Sequence, residues 1–152
     1  MIGEFDYIKR NIEEVKRRVG LAAQRAGRNA EDIKIIAVTK TVSVEKINCA
    51  IDEGLNILGE NRVQELCEKY DKVNRDCKWD LIGHLQTNKV KYIVDKVSLV
   101  HSVDRLELVQ EIQKRAEKAG RILDILVQVN VAEEESKFGL SINEVKSFLK
   151  KI

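Results

Sequence analysis

The sequence predicts an α/β fold with a parallel sheet. Short runs rich in Ile, Val and Leu recur along the chain, amphipathic helical stretches alternate with them, and capping or turn residues mark the joins. Strands that alternate with helices call for parallel pairing through right-handed crossovers. No linker composition or low-complexity segment divides the 152 residues, so 1–152 is read as a single α/β domain with its own core.

A helix opens the chain: Ile8, Ile12, Val15, Val19 and Ala22 fall on one stripe, and Gly27 offers a stop. The apolar run Ile33–Thr39 reads as a buried parallel strand. Ser43 can cap the next helix, which turns Val44, Ile47 and Ile51 inward and ends before Gly54. Asn56–Gly59 is a short second strand, and Asn61 can cap a helix with Val63, Leu66, Tyr70 and Val73 on one side. Trp79–Gly83 is a third strand, followed by a helix starting near Thr87. Val97–Ser102 is a fourth, after which Asp104 caps a helix carrying Leu106, Val109 and Ile112 and ended by Gly120. Leu123–Val131 is the fifth strand, and Ser141 with Glu144 forms a capping box for a last helix.

A leading helix and five strand–helix units suit an incomplete (β/α)8 barrel of the TIM type. A doubly wound open sheet is the rival, but no glycine-rich phosphate fingerprint follows the first strand. Five units do not close an eight-stranded barrel, and the last helix reaches Lys151-Ile152 without a stop signal. The expectation is a truncated chain whose open edges and bare apolar interior favour self-association.

A net charge of +2 gives no electrostatic case for nucleic acid, and no apolar stretch is long enough to span a bilayer. The N-terminus lacks a signal-peptide pattern, and three unevenly spaced cysteines, Cys49, Cys67 and Cys77, favour reduced thiols in the cytoplasm over a disulfide framework. No metal site is expected: His84 and His101 lack a ligand spacing, and Glu133-Glu134-Glu135 lacks the alternation of a calcium loop. No nucleophile elbow supports a hydrolase.

Parallel strands share one carboxyl face, where α/β proteins keep their chemistry. There the chain delivers Thr39-Lys40, Glu60-Asn61, His84 with Gln86, Ser102 with Asp104, and Asn130. Lys40 reads either as an amine nucleophile for a carbonyl compound or as a lysine that snorkels to solvent. Only a neutral lysine attacks, and burial at a strand end would favour the neutral amine. Capping demand accounts for Thr87 and Asp104. His84, just past Gly83, reads either as a ring-stacking or proton-donating group or as an ordinary loop histidine.

Several segments match one family in order: Ala37-Val38-Thr39-Lys40, Gly59-Glu60-Asn61-Arg62-Val63-Gln64-Glu65, Trp79 with Ile82-Gly83-His84-Leu85-Gln86-Thr87-Asn88-Lys89, His101-Ser102-Val103-Asp104, and Val129-Asn130 followed by Glu135, Lys137 and Gly139. They resemble the pyridoxal-phosphate homeostasis proteins, whose fold is similar to the barrel domain of alanine racemase. The resemblance implies that Lys40 forms a Schiff base, the internal aldimine, with pyridoxal 5'-phosphate (PLP). It places Asn61 and His84 beside the cofactor, and it assigns no catalytic residue. The implied function is PLP buffering and delivery to PLP-dependent enzymes, without established catalytic turnover. Ser43 stands where the family often has a proline. The family also continues through about three more strand–helix units, completing the eightfold barrel, and these carry the loops that hold the phosphate. Weak PLP binding, or none, is therefore expected of this chain. Two other readings are a PLP-dependent amino-acid racemase-like enzyme and a cofactor-free interaction module. The racemase would need a second base, usually a tyrosine from elsewhere, whereas Tyr7, Tyr70 and Tyr92 all sit in helical patterns.

Overall fold

Five of the apolar runs become strands: β1 (Ala37–Val38), β2 (Ile57–Glu60), β3 (Lys78–Leu81), β4 (Val97–Val103) and β5 (Asp124–Val127). They form one sheet in the order β1-β2-β3-β4-β5, with every neighbouring pair parallel. The computed structural model describes residues 5–73 and 75–152. A doubly wound sheet reverses its order partway, whereas here each crossover steps one strand in the same direction. With right-handed connections this order puts the helices on one face and leaves the other as the inner wall of a barrel. The structure is thus α/β, with five consecutive strands of the barrel order.

The two faces differ in burial as that arrangement requires. Leu58, Leu81 and Val100 alternate toward the helices and are fully buried with Ile47, Leu66 and Leu108. On the opposite alternation Val38 and Leu126 are 51% and 48% exposed. Asp80 and His101 share this inner wall, where His101 Nε2 lies 3.0 Å from an Asp80 carboxylate oxygen.

The helices are α1 (Asp6–Arg25), α2 (Val44–Asp52), α3 (Val63–Tyr70), α4 (Leu106–Lys118) and α5 (Ile142–Leu149). Gly27, at φ +64°, ends α1 in the left-handed region that a glycine enters freely. Of the expected α1 stripe only Ile12 is buried, while Val15 and Ala22 are exposed. The reason is placement: α1 packs on α2 and the Ala30–Asp32 turn rather than on the sheet, so its contact face is narrow.

The first strand is shorter than Ile33–Thr39. Ala37 pairs with Leu58, so residues before Ile36 lie beyond the start of β2 and have no strand to bond. The fifth likewise stops at Val127, and Gln128 N–H makes the final bond to the Val103 carbonyl at the end of β4. The helix expected near Thr87 is a six-residue 3₁₀ helix, Thr87–Tyr92. The capping box is present: the Glu144 carboxylate accepts from the Ser141 N–H at 2.9 Å. All three cysteines are free, and burial pushes each thiol above its ordinary pKa, which suits packing rather than reactivity. Among the described residues no helix is long and apolar enough to cross a membrane, and no cluster of three or more His, Cys, Asp or Glu is placed to hold a metal ion.

Candidate functional site

Lys40 follows β1 at the carboxyl edge of the sheet. Extending the registers Val38↔Gly59 and Glu60↔Leu81 puts Lys40 level with Asn61 and Ile82. Neighbouring strands run about 4.8 Å apart, so these three residues share one short stretch of rim. Lys40 is exposed, not buried as the sequence suggested, and its amine has no partner among the described residues.

The main chain around Lys40 is held from the helix side. Lys69 Nζ, on α3, donates to the Thr39 carbonyl at 2.7 Å, to Glu60 Oε1 at 2.7 Å and to Glu65 Oε1 at 2.6 Å. Thr39 Oγ1 donates to the same Glu60 oxygen at 2.8 Å. On the other side of Lys40, the Thr41 N–H donates to Glu65 Oε1 at 2.5 Å. Thr41 sits at φ +61°, the left-handed region that β-branched residues avoid. Burial, the largest single effect on Lys69, pulls its pKa down, but the hydrogen bonds to Glu60 and Glu65 outweigh it and hold the ammonium above lysine's ordinary value. The same Lys69 bond, with the Thr41 N–H, holds Glu65 below the usual carboxylate range.

Asn61 and His84 are brought together. Both line an open recess of about 520 Å³ with Arg62, Gln64, Gln86 and Lys89, and Lys40 is not in its lining. The contact that joins the two loops is at Gly83, where an added Cβ would lie 2.3 Å from the Asn61 carbonyl oxygen. Asn61 does not cap α3; the cap position is Arg62, and the Asn61 N–H donates to Glu60 Oε2 at 3.3 Å. Its carboxamide therefore stays without a partner among the described residues.

The loop carrying His84 is anchored from β4 and the start of α4. Ser102 Oγ donates to the Gly83 carbonyl at 2.6 Å, and the Arg105 guanidinium donates to the Leu85 carbonyl at 2.6 Å and to Asp104 at 2.7 Å. Asp104 thus pairs with Arg105, which takes the cap position itself, and Gln86 rather than Thr87 precedes the 3₁₀ helix. The His84 ring stacks on Phe138 with centroids 3.8 Å apart. Its Nδ1 is buried without a hydrogen-bond partner, 4.0 Å from an Asp104 oxygen and beyond bonding range.

Sequence reasoning missed Lys69, Arg105 and Phe138. Lys69 left a trace: with Leu66 and Val73 it keeps the three-and-four spacing of the buried α3 stripe, and Glu65 stands four residues before it. Arg105 and Phe138 left none, because loop-to-loop contacts have no period.

The profile of the family described as "Alanine racemase, N-terminal domain" matches residues 5–152. A protein of Aquifex aeolicus named "Pyridoxal phosphate homeostasis protein" is 45% identical over 136 residues, covering 89% of this chain and 60% of that protein. A crystal structure described as that of an unknown protein from Bifidobacterium adolescentis superimposes with a TM-score of 0.90 at 31% identity, over 99% of this chain and 66% of the other. PipY of Synechococcus elongatus, solved with PLP bound, gives a TM-score of 0.72 at 28% identity, over 86% of this chain and 61% of PipY. The chain spans about three fifths of the length of the curated relatives it matches.

Proposed function

The chain belongs to the alanine racemase N-terminal domain family, and from that premise we propose that it holds pyridoxal 5'-phosphate on Lys40 and serves cofactor homeostasis, buffering PLP and handing it to PLP-dependent enzymes. The observation that carries this reading is the contrast between two lysines. Lys69, the one buried lysine among the described residues, is committed to three acceptors, whereas the Lys40 amine at the carboxyl rim has no partner among those residues. PLP supplies an aldehyde carbon, with which a neutral primary amine condenses as water leaves.

The residues present fit such a group. Lys40 offers the amine and the Asn61 carboxamide offers an unpaired donor and acceptor one strand away. His84 offers a buried ring nitrogen with no bond of its own. Asn61 and His84 would flank the cofactor's polar edge, and Gly83 keeps their loops in contact. The printed name of the Aquifex relative and the PLP bound to PipY support the same ligand. Residues 1–152 are read as one unit, the first part of a PLP-binding barrel.

A carrier suits the site better than a racemase. Tyr7 and Tyr92 are exposed on helices and Tyr70 packs near Trp79, so no tyrosine joins Asn61 and His84 in the recess. The free thiols suit the reducing cytoplasm. The edge strands β1 and β5, beside half-exposed Val38 and Leu126, suit association of a 152-residue polypeptide with itself.

Spectrophotometric titration with PLP tests the proposal at whatever affinity the chain has. A saturable change is expected for the unsubstituted chain and none for Lys40→Ala. Equal saturation of both would overturn the assignment, and racemisation of an amino acid with turnover would replace the carrier with an enzyme.

A further inference from the structure

We infer that Glu65 and Lys69 are positioning residues for Lys40, fixing the peptide groups on either side of it so that its amine is presented at the rim. The inference rests on the reading of Lys40 as the cofactor lysine. Neither side chain touches the amine; both act through the backbone.

The sheet alone cannot hold Lys40 in place. β1 is two residues long and pairs with β2 alone among the described residues, and its last ladder bond is from the Thr39 N–H to the Gly59 carbonyl. Beyond that point the chain turns through Thr41, whose left-handed φ of +61° is unfavourable for a threonine. A left-handed β-branched residue persists only where its surroundings fix it. Within the turn the Val42 N–H donates to the Thr39 carbonyl at 3.0 Å and Thr41 Oγ1 to the Lys40 carbonyl at 2.6 Å; from outside it the Glu65 carboxylate accepts from the Thr41 N–H, and Lys69 donates to the Thr39 carbonyl. Glu65 and Lys69 are four residues apart on α3, so one helix turn delivers both to the same place. The fully buried Glu60 ties Lys69 to β2, which makes the clamp continuous from the helix layer to the strand end. Without the clamp Thr41 relaxes toward ordinary backbone, and the Lys40 side chain leaves from a different direction.

The test compares Lys40 with Lys34, an exposed lysine on the same segment. The unsubstituted protein, Glu65→Gln, Glu65→Leu and Glu65→Ala are mixed with PLP and quenched with borohydride at timed intervals. Labelling at each lysine is then read by peptide mass, at a temperature where circular dichroism shows the protein folded. The expected result is a fall of about tenfold or more in the Lys40 to Lys34 labelling ratio for Glu65→Leu, since displacements of about 1 Å cost this much or more. Glu65→Ala gives the same reading should the leucine variant not fold. Glu65→Gln keeps the ratio, because its amide oxygen still accepts from the Thr41 N–H. A merely structural role would lower stability in all variants and leave the ratio in folded protein unchanged, and that result overturns the inference. An unsubstituted protein that labels Lys40 no faster than Lys34 overturns both this inference and the cofactor reading. A preserved preference that is indifferent to Glu65 overturns the positioning role alone.

Discussion

Gly83→Ala is expected to damage both stability and the site, because the loops carrying Asn61 and His84 meet at this glycine. An added Cβ would lie 2.3, 2.8 and 2.9 Å from the carbonyl oxygen, Cα and carbonyl carbon of Asn61, where ordinary contact begins at 3.4 Å. All three atoms are backbone, so no side-chain rotation relieves the clash. The loops also cannot part easily: Ser102 Oγ holds the Gly83 carbonyl at 2.6 Å, and the Ile82 N–H bonds the Glu60 carbonyl at 2.9 Å. Overpacking of this kind costs about 1–3 kcal/mol, and a shortfall of about 1 Å against fixed atoms puts Gly83→Ala at the upper end of that range. At about 2–4 °C per kcal/mol for a chain of this size, Tm should fall by roughly 4–12 °C. Thermal unfolding by circular dichroism reads the stability, and PLP titration reads the site, which should weaken as Asn61 is pushed from His84. Gly20→Ala in α1 is the contrasting case, since nothing lies within 4 Å of its added Cβ. It should gain about 0.5–1 kcal/mol from helix propensity. An unchanged Tm and an unchanged titration for Gly83→Ala would refute the reasoning.

Lys69→Met should cost about 3–5 kcal/mol in urea unfolding, since it leaves the fully buried Glu60 carboxylate without its ion-pair partner; a loss comparable to a surface substitution would contradict the buried pair. The same network sets two pH limbs. Glu65 is held below its ordinary pKa, so its contribution is complete above the unfolded value of about 4.3 and is lost as pH falls through the lower folded value. Lys69 is held above its ordinary pKa, so its contribution is complete below about 10.4 and is lost as pH rises through the higher folded value. Urea midpoints measured against pH should show a plateau between these limbs, and an acid limb as large in Glu65→Gln as in the unsubstituted protein would count against the assignment.

The sheet was largely legible in the sequence because periodicity reports burial. Strands β2, β3 and β4 fall within about two residues of their expected bounds, and their apolar alternation is what the helix layer covers. Strand ends were less legible, since a strand stops where its neighbour stops: β1 and β5 shrink because β2 and β4 offer no partner beyond Ile57 and Val103. Ser43 and Ser141 take their expected cap positions, whereas two other caps failed for a related reason. Asn61 and Asp104 have suitable side chains, but Asn61 is pressed on Gly83 of the next loop, and Asp104 is taken by its neighbour Arg105, whose guanidinium also reaches the Leu85 carbonyl 20 positions back. At the site, polar residues at strand ends pointed to the rim where the structure brings Asn61 and His84 together. The spacing of α3 puts Lys69 on the buried stripe, but what it holds there was hidden, because its partner Glu60 lies on another element.

The most direct test of Lys40 as the cofactor lysine is borohydride trapping with PLP followed by peptide mapping of every lysine. One dominant pyridoxyl label on Lys40 is expected, with Lys69 unlabelled because its ammonium is held by three acceptors, and with the label lost in Lys40→Ala. A label spread evenly over the exposed lysines, or one of undiminished amount in Lys40→Ala, would contradict it.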